Sequence, residues 1–444
     1  MKINRLAKIL FVAILVFLSY VVFNNNGIRY NLSYLFTSFL IIVVSLVGIF
    51  SSKSRPFSLN IMFHLFNLFF IGIAPAIQFK EDITFMGIEN KLSDSDYLAG
   101  NILFLIAILT YVLIYHIKAK KYYTQNIIVS QLKPNPQKDY GKLVLIASIL
   151  ILIIIYWSFN FNIKFFLSRE MLINGQSNFS SHVFMIINQL RILPLVFFLF
   201  YKFSGKKIFK IEISLLVIIL LLNFPTAIPR YSLGVIYLPI LLVYFRIFYR
   251  KYIFSIVFII SFLTVFPYLH HFRYNTKLLP ENVFQLNMFK EAHFDSYQNS
   301  VQAITNSVNT GGEQLFCTIF FFVPRSIWED KCTGSGHLLA SKLNYDGFSN
   351  VAISFLGEGY INFGYIGMGV FLIFLALSFS YLDSRFWYFK NTSLFKIIYL
   401  VSIPFVFYIL RGGLLSSYAY YISFVFLIFT VSLFLKIYFN KHLK

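Results

Sequence analysis

Residues 142–160 read KLVLIASILILIIIYWSFN, a run whose only charge stands at its first position. About 20 helical residues cross the hydrocarbon core of a bilayer, so this run is long enough to span a membrane as one helix. Similar runs recur along the 444 residues, of which 58% are hydrophobic. The alternation of apolar and polar residues that is typical of a membrane β-barrel does not occur. The chain is therefore predicted to be an all-α integral membrane protein.

Working outward from this run, the hydropathy pattern predicts about twelve transmembrane helices with both termini in the cytoplasm. The first span follows MKINRLAK and has no small-residue cleavage site after it, so we expect an uncleaved anchor. The predicted spans are 6–23, 32–50, 57–78, 97–117, 142–160, 180–201, 211–224, 232–249, 252–270, 360–382, 394–410 and 418–436.

The predicted topology divides the chain into three parts. Residues 1–270 carry the first nine spans, residues 271–359 form one large outer loop, and residues 360–444 carry the last three spans. Lysine and arginine fall mostly in the short cytoplasmic segments, as the positive-inside rule requires. The net charge of +21 therefore reflects topology and contact with anionic lipid headgroups, and it gives no support to nucleic-acid binding.

The large outer loop is predicted to carry the function, because the cytoplasmic segments contain no nucleotide-binding glycine motif of the kind an ATP-driven pump needs. Residues 282–304 have apolar side chains at helical spacing, which predicts one or two amphipathic helices on the membrane surface. Residues 315–323 are apolar but too short to span, and we expect a half-helix that delivers Arg325 to the membrane boundary. The alternative is a flexible lid with no chemistry of its own.

Arginines on the predicted outer face are candidates for binding phosphate, since guanidinium groups match phosphate oxygens bidentately and stay charged. Arg230, Arg325 and Arg411 are each flanked by prolines or glycines that break a helix, and this favours a functional role over simple anchoring at lipid headgroups. Arg191 stands in the middle of a predicted span. It is either a site residue or a member of a structural ion pair.

Glu358 and His337 are the acid or base groups that the loop offers. The sequence contains no HExxH motif, no Cys-His metal spacing and no GxSxG motif, so metalloprotease and serine-hydrolase functions have no support and no metal site is predicted. Cys317 and Cys332 are the only cysteines. They either form a disulfide in an oxidising compartment or remain as two buried thiols.

Three motifs occur in a fixed order: FFVPRSIWEDK at 321–331, SFLGEGYINFGYIG at 354–367, and RGG at 411–413 before the last span. In motif order and topology the chain resembles the Wzy-type O-antigen polymerases. The resemblance implies a multi-pass protein of the bacterial inner membrane with a helical bundle like that of GT-C glycosyltransferases and an active site facing the periplasm. The chain departs from the family pattern at Cys332, where relatives often have proline.

The resemblance also implies the substrate and the roles of the candidate residues. The growing glycan would pass from undecaprenyl pyrophosphate to an incoming lipid-linked repeat unit, without a cofactor, beside partners that include a chain-length regulator and a flippase. The residues expected to bind the lipid pyrophosphate are Arg230, Arg325 and Arg411, with Lys331 or Arg169 assisting. Glu358 is expected to orient or deprotonate the acceptor, and His337 and Arg325 are the other catalytic candidates.

Three alternative functions remain open. An O-antigen ligase would share the donor, although the GEGYINFG stretch favours the polymerase. A dolichol-type glycosyltransferase usually has an acidic pair in its first outer loop, whereas NNNGIRYN at 24–31 has no acidic residue. A lipid-linked oligosaccharide flippase would need polar residues within its spans, and the predicted spans contain little beyond Arg191.

Overall fold

The computed structural model describes most of the chain as a bundle of α-helices. The described residues are 2–24, 27–51, 55–85, 91–123, 140–169, 171–172, 181–204, 208–274, 286–345, 350–389 and 391–442. No β-strand occurs in these ranges. The principal helices are α1 (Lys2–Phe23), α2 (Leu32–Ser51), α3 (Leu59–Lys80), α4 (Asp94–Tyr123), α5 (Gly141–Ser158), α6 (Ser181–Lys202), α7 (Phe209–Leu222), α8 (Arg230–Tyr244), α9 (Ile253–Tyr274), α10 (Ser296–Thr305), α11 (Glu313–Ile319), α12 (Ser335–Lys342), α13 (Phe355–Tyr388), α14 (Ser393–Arg411) and α15 (Leu414–His442).

Seven helices in the described ranges are long and apolar enough to cross a membrane, namely α2, α3, α4, α5, α13, α14 and α15. An all-α, membrane-embedded protein is therefore confirmed, whereas the count of twelve spans stays a prediction. The predicted spans 211–224 and 232–249 correspond to α7 and α8, which have 14 and 15 residues. At 1.5 Å per residue these helices are about 21 and 23 Å long, shorter than the hydrocarbon core of about 30 Å.

Helix α3 is the central helix of the bundle, because 94% of its apolar window is buried. Its middle, Asn67–Ile73, is a π-helix, and Pro75 follows directly. Proline has no N–H to donate to the preceding turn, and the wider turn ahead of it accommodates the missing hydrogen bond. Near the end of α3 the Gln78 amide donates to the carbonyls of Phe289 and Phe294 at 2.8 and 3.2 Å, which fixes the segment before α10.

The other end of α3 is held by a buried carboxylate. Asp383 on α13 accepts hydrogen bonds from the backbone N–H groups of Leu59 and Asn60 at 2.9 and 3.2 Å. It also accepts from the hydroxyls of Tyr115 and Tyr399 at 2.7 and 2.6 Å. The free N–H groups at a helix start favour a negative charge, so Asp383 joins α3, α4, α13 and α14 at one point.

Helix α13 is two helices joined by a sharp bend at Phe363 and Gly364. Gly364 has φ 63° and ψ −149°, a backbone region that is essentially restricted to glycine. The sequence placed the start of this span at residue 360, but the helix begins at Phe355, where the side chain of Ser354 caps it by accepting from the Gly357 N–H. Glu358 therefore lies in the first turn of a helix, and the predicted loop boundary at 359 cuts through that helix.

The first part of the predicted outer loop contains the helix α10. A helix does form in this part, as α10, and eight of its ten residues are buried in the protein. Tyr297 of α10 donates to the Asn101 side chain of α4 at 2.8 Å. Ser300 of α10 bonds the Ser354 hydroxyl at 2.7 Å. The polar residues at 296–302 are thus buried, and two of them bond α4 and the N-cap of α13.

The apolar run at 315–323 forms only the short helix α11, which ends at Ile319. The predicted half-helix therefore stops six residues before Arg325. Cys317 and Cys332 form a disulfide, with their Cα atoms 6.1 Å apart, so the first of the two alternatives for these cysteines is correct. The segment 317–332 is a closed hairpin, called the disulfide hairpin below, and Arg325 is exposed on it.

Candidate active site

A polar cavity of about 380 Å³ lies where the end of α14, the start of α12 and the segment before α10 meet. We call it the Arg411 cavity. Backbone at 350–352 and 412–413 completes its wall. Its polar side chains are those of Asp295, Thr333, Ser335, Asn350, Arg411 and Ser416.

Arg411 is held in place by the segment that precedes α10. Its Nε donates to the carbonyl of His293 at 2.6 Å, and its Nη2 lies 3.4 Å from Asp295 Oδ1. Nη1 makes no hydrogen bond within the described part of the chain, and the side chain is 32% exposed. The guanidinium group therefore keeps a donor edge toward the cavity, which suits an oxyanion.

Asp295 is the buried partner of Arg411 and is 2% exposed. Its Oδ2 accepts from the side chain of Asn299 and from the Ala352 N–H at 3.0 and 3.2 Å. Burial raises the pKa of Asp295, while the charge of Arg411 and these hydrogen bonds act in the opposite direction. Asp295 orients Arg411, and sequence reasoning missed it because nothing in HFDSYQ marks this aspartate as different from a surface residue.

Glu358 lies behind the cavity wall and reaches the cavity through Ser335. It is 1% exposed, its Oε2 accepts from Ser335 Oγ at 2.6 Å, and its Oε1 accepts from the Leu414 N–H at 2.8 Å. No lysine or arginine in the described residues forms an ion pair with it. Because Ser335 donates its proton to Glu358, the remaining lone pairs of the hydroxyl are available to a group in the cavity.

Two glycines place Ser335 at this position. Gly334 has φ 104°, which a side chain rarely tolerates. A Cβ on Gly336 would overlap the Val351 carbonyl oxygen, so only glycine lets α12 approach the 350–352 backbone this closely. The Gly-Ser-Gly run at 334–336 is the sequence signal that could have identified Ser335.

Arg230 is brought close to the same segment that holds Arg411. It starts α8 directly after Pro229. Burial raises the pKa of Glu291, and the positive charge of Arg230 offsets part of that increase, which places the two groups near each other. Glu291 also lies 3.6 Å from His293, the residue whose carbonyl binds Arg411. The segment 291–295 thus contacts Arg411 through His293 and Asp295, and it carries Glu291, whose carboxylate feels the charge of Arg230.

The remaining loop candidates lie outside the Arg411 cavity. Arg325 donates to the Cys332 carbonyl at 3.2 Å on the exposed disulfide hairpin. Lys331 donates to the carbonyls of Phe321 and Val323 at 2.6 and 2.8 Å, so it closes the same hairpin. His337 is partly buried on α12, two residues beyond Ser335, and is not among the cavity's lining residues.

Arg169 lines a second, separate cavity of about 180 Å³, which also contains Arg191. We call it the Arg191 cavity. Three tyrosines lie between the two cavities. Tyr231 stacks on Tyr408 with ring centroids 4.5 Å apart, and Tyr420 lies 5.7 Å from Tyr231. Tyr231 and Tyr420 line the Arg191 cavity, and Tyr408 lines the Arg411 cavity.

An apolar groove of about 580 Å³ runs along α13 between α14 and α15. Its lining on α13 includes Phe355 and a continuous helix face from Val370 to Leu382, which rises about 18 Å. Leu414 lines the groove, and its N–H binds Glu358, while Leu415 lines the Arg411 cavity. The groove and the polar cavity therefore meet at the start of α15.

No group of three possible metal ligands occurs among the described residues. Comparison of the chain with protein-family models, with curated proteins and with solved structures finds no match.

Proposed function

We propose that the chain is a glycosyltransferase that acts on sugars carried by a lipid pyrophosphate. Within that class, the motif resemblance favours an O-antigen polymerase. The observation that carries the proposal is the Glu358–Ser335 pair beside Arg411, at the place where a polar cavity meets an apolar groove. An amphiphile whose charged head lies beside Arg411 and whose hydrocarbon chain lies in the groove fits this arrangement.

The donor end of the reaction needs stabilisation of a departing pyrophosphate. Arg411 has a free donor edge and lines the cavity, so it can bind the phosphate oxygens, whereas Arg230 does not line this cavity. The apolar groove extends about 18 Å along α13, which holds a stretch of polyprenyl chain in extended form. Undecaprenyl pyrophosphate carries both a charged head and such a chain, and this supports the choice of donor.

The acceptor end needs a group that takes a proton from the attacking hydroxyl. Ser335 Oγ can accept a hydrogen bond from that hydroxyl, while its own proton passes to Glu358. The acceptor oxygen forms a bond to the anomeric carbon, the bond from that carbon to the phosphate oxygen breaks, and the electron pair leaves on the lipid pyrophosphate. The proton ends on Glu358, so atoms and charge balance without a further reactant.

The disulfide hairpin supports a location on the oxidising side of the inner membrane, because disulfides persist in the periplasm and are rare in the cytosol. The Arg411 cavity and the hairpin lie on the same predicted outer side. We therefore place the proposed active site at the periplasmic face.

A surface-polysaccharide gel from cells lacking the gene tests the proposal. The deletion is expected to leave lipid A core carrying one repeat unit, and the wild-type gene is expected to restore the ladder. Glu358→Gln and Arg411→Gln should not restore it, whereas the exposed controls Glu329→Gln and Arg250→Gln should, at equal membrane expression. Bare core with polymer on its lipid carrier would instead indicate a ligase, and bare core with unpolymerised units held on the cytoplasmic side would indicate a flippase.

A further inference from the structure

The Arg191 cavity contains a positive charge that no carboxylate in the described part of the chain neutralises. Arg191 lies in the middle of α6 and is 3% exposed. Within the described residues it forms no ion pair, and no carboxylate lines the cavity. A charged side chain deep in a membrane protein is costly unless a partner compensates it. The structural ion pair that the sequence left open is thus not found among the described residues.

The contacts of Arg191 satisfy only part of its guanidinium group. Nε and Nη2 both donate to the Leu222 carbonyl, at 2.9 and 2.6 Å, and so cap the end of α7. Nη1 makes no hydrogen bond to any described residue. A carbonyl carries only a partial charge, so capping a helix end leaves most of the positive charge without a counter-charge.

Other side chains of the cavity are suited to a ligand that has both an anion and hydroxyl groups. The buried Gln189 Oε1 has no hydrogen-bond partner in the described residues, and it can accept from a hydroxyl. Arg169 brings a second positive charge to the lining. The volume of about 180 Å³ is enough for several water molecules or for a phosphate group with part of its substituent.

We propose that the Arg191 cavity binds a phosphate group attached to a hydroxylated moiety. The inference rests on the proposed function in one respect: a polymerase handles two lipid-linked substrates, and the two cavities flank one cluster of tyrosines. The Arg411 cavity then holds the donor phosphate, and the Arg191 cavity holds that of the second substrate. The same chemistry is offered by a sugar phosphate and by the headgroup of phosphatidylglycerol, and the experiment separates these two sources.

The test is binding of glucose 1-phosphate to the purified full-length protein in nanodiscs of phosphatidylcholine. Arg191→Met should lower the affinity about tenfold or more, and Arg191→Lys should retain most of it, because loss of a charge-assisted contact costs at least that much. Arg169→Gln changes a partly exposed residue and should also weaken binding while leaving the helix cap intact. Arg250→Gln, an exposed arginine that lines neither the Arg191 cavity nor the Arg411 cavity, is the matched control and should bind as the wild type.

Unchanged affinity in a folded Arg169→Gln protein together with unchanged affinity in Arg191→Met would overturn the inference. Loss of binding only in Arg411→Gln would also overturn it, since the probe would then occupy the other cavity. Nanodiscs that contain phosphatidylglycerol distinguish the two sources of the phosphate group. If this lipid displaces the sugar phosphate, the cavity is a phosphate site, but its assignment to a second substrate is overturned. The assay needs no polymer, so its failure is distinct from failure of the polysaccharide ladder.

Discussion

Replacing Glu358 by glutamine separates a catalytic role from a structural one. The carboxylate now accepts from Ser335 Oγ at 2.6 Å and from the Leu414 N–H at 2.8 Å. In Glu358→Gln the amide oxygen keeps the Leu414 bond, and the amide nitrogen donates to Ser335, whose hydroxyl can rotate. Both contacts survive as neutral hydrogen bonds in place of charged ones, which costs about 1–3 kcal/mol, and the lower cost of burying a neutral side chain offsets part of this, so the net change in stability should be small.

The same change reverses the direction of the contact at Ser335. The hydroxyl becomes an acceptor from the introduced amide and turns its own proton toward the cavity, so it can no longer pass a proton inward. Loss of a general base typically lowers a rate roughly 100-fold to 10,000-fold. Ser335→Ala removes the same relay, and the double variant should be no slower than either single variant, because residues that act as a unit are not additive.

The assay is single-turnover polymer formation by the purified protein in nanodiscs with lipid-linked repeat units, and thermal unfolding is followed in parallel. Glu329→Gln, an exposed carboxylate of the same outer loop, is the control and should match the wild type in both measurements. A Glu358→Gln protein that keeps more than a tenth of the wild-type rate would show that Glu358 only joins α12 to α15. An additive double variant would likewise refute the relay.

Three further predictions concern the frame of the site. Gly357→Ala should destabilise the protein by about 1–3 kcal/mol, because the new Cβ would meet Ser300 Oγ at 2.5 Å. The control Gly369→Ala lies in the same helix, where the new Cβ meets nothing within 4 Å, and it should be neutral or stabilising. Equal effects of the two substitutions in thermal unfolding would contradict this prediction. Cys317→Ser opens a disulfide with a sequence separation of 15 and should lower stability by about 3 kcal/mol, and insensitivity of the wild type to a reductant would argue against the prediction. Asp383→Asn puts an amide nitrogen opposite two hydrogen-bond donors, so the free energy of unfolding should fall by about 1–3 kcal/mol for each donor left unpaired. The exposed Asp330→Asn is the control and should unfold as the wild type does.

The helical, membrane-embedded nature of the chain could be predicted because it depends on composition and run length alone. The spans 57–78 and 394–410 match α3 and α14 within a few residues. The start of α13 was missed because GEGYINFG contains three glycines, which lower helix propensity, while the Ser354 cap and packing against α10 stabilise the helix all the same. Tertiary contacts therefore outweigh the low local helix propensity at this position.

The sequence predicted the types of residue in the candidate site, but it identified only some of the residues themselves. Arg411 and Glu358 were selected because helix breakers or a glycine-rich motif flank them, and the structure places both at the Arg411 cavity, whereas Arg230, selected on the same signal, does not line it. Arg325 carried the same local signature, but its position depends on the Cys317–Cys332 pairing, which one sequence cannot establish. Asp295 and Ser335 belong to the site because they contact residues more than twenty positions away in the chain, and no local sequence pattern predicts such contacts.

The π-helix in α3 makes the register of the helix depend on the direction in which its length changes. Its wide turn already holds roughly one residue more than an α-turn. Each residue of an α-helix turns the following side chains by about 100°, so inserting one residue between Asn67 and Ile73 would rotate everything beyond it. Gln78 would then face away from the segment that positions Arg411. A one-residue insertion in this stretch should therefore abolish function, whereas a one-residue deletion that contracts the wide turn to α geometry should be better tolerated.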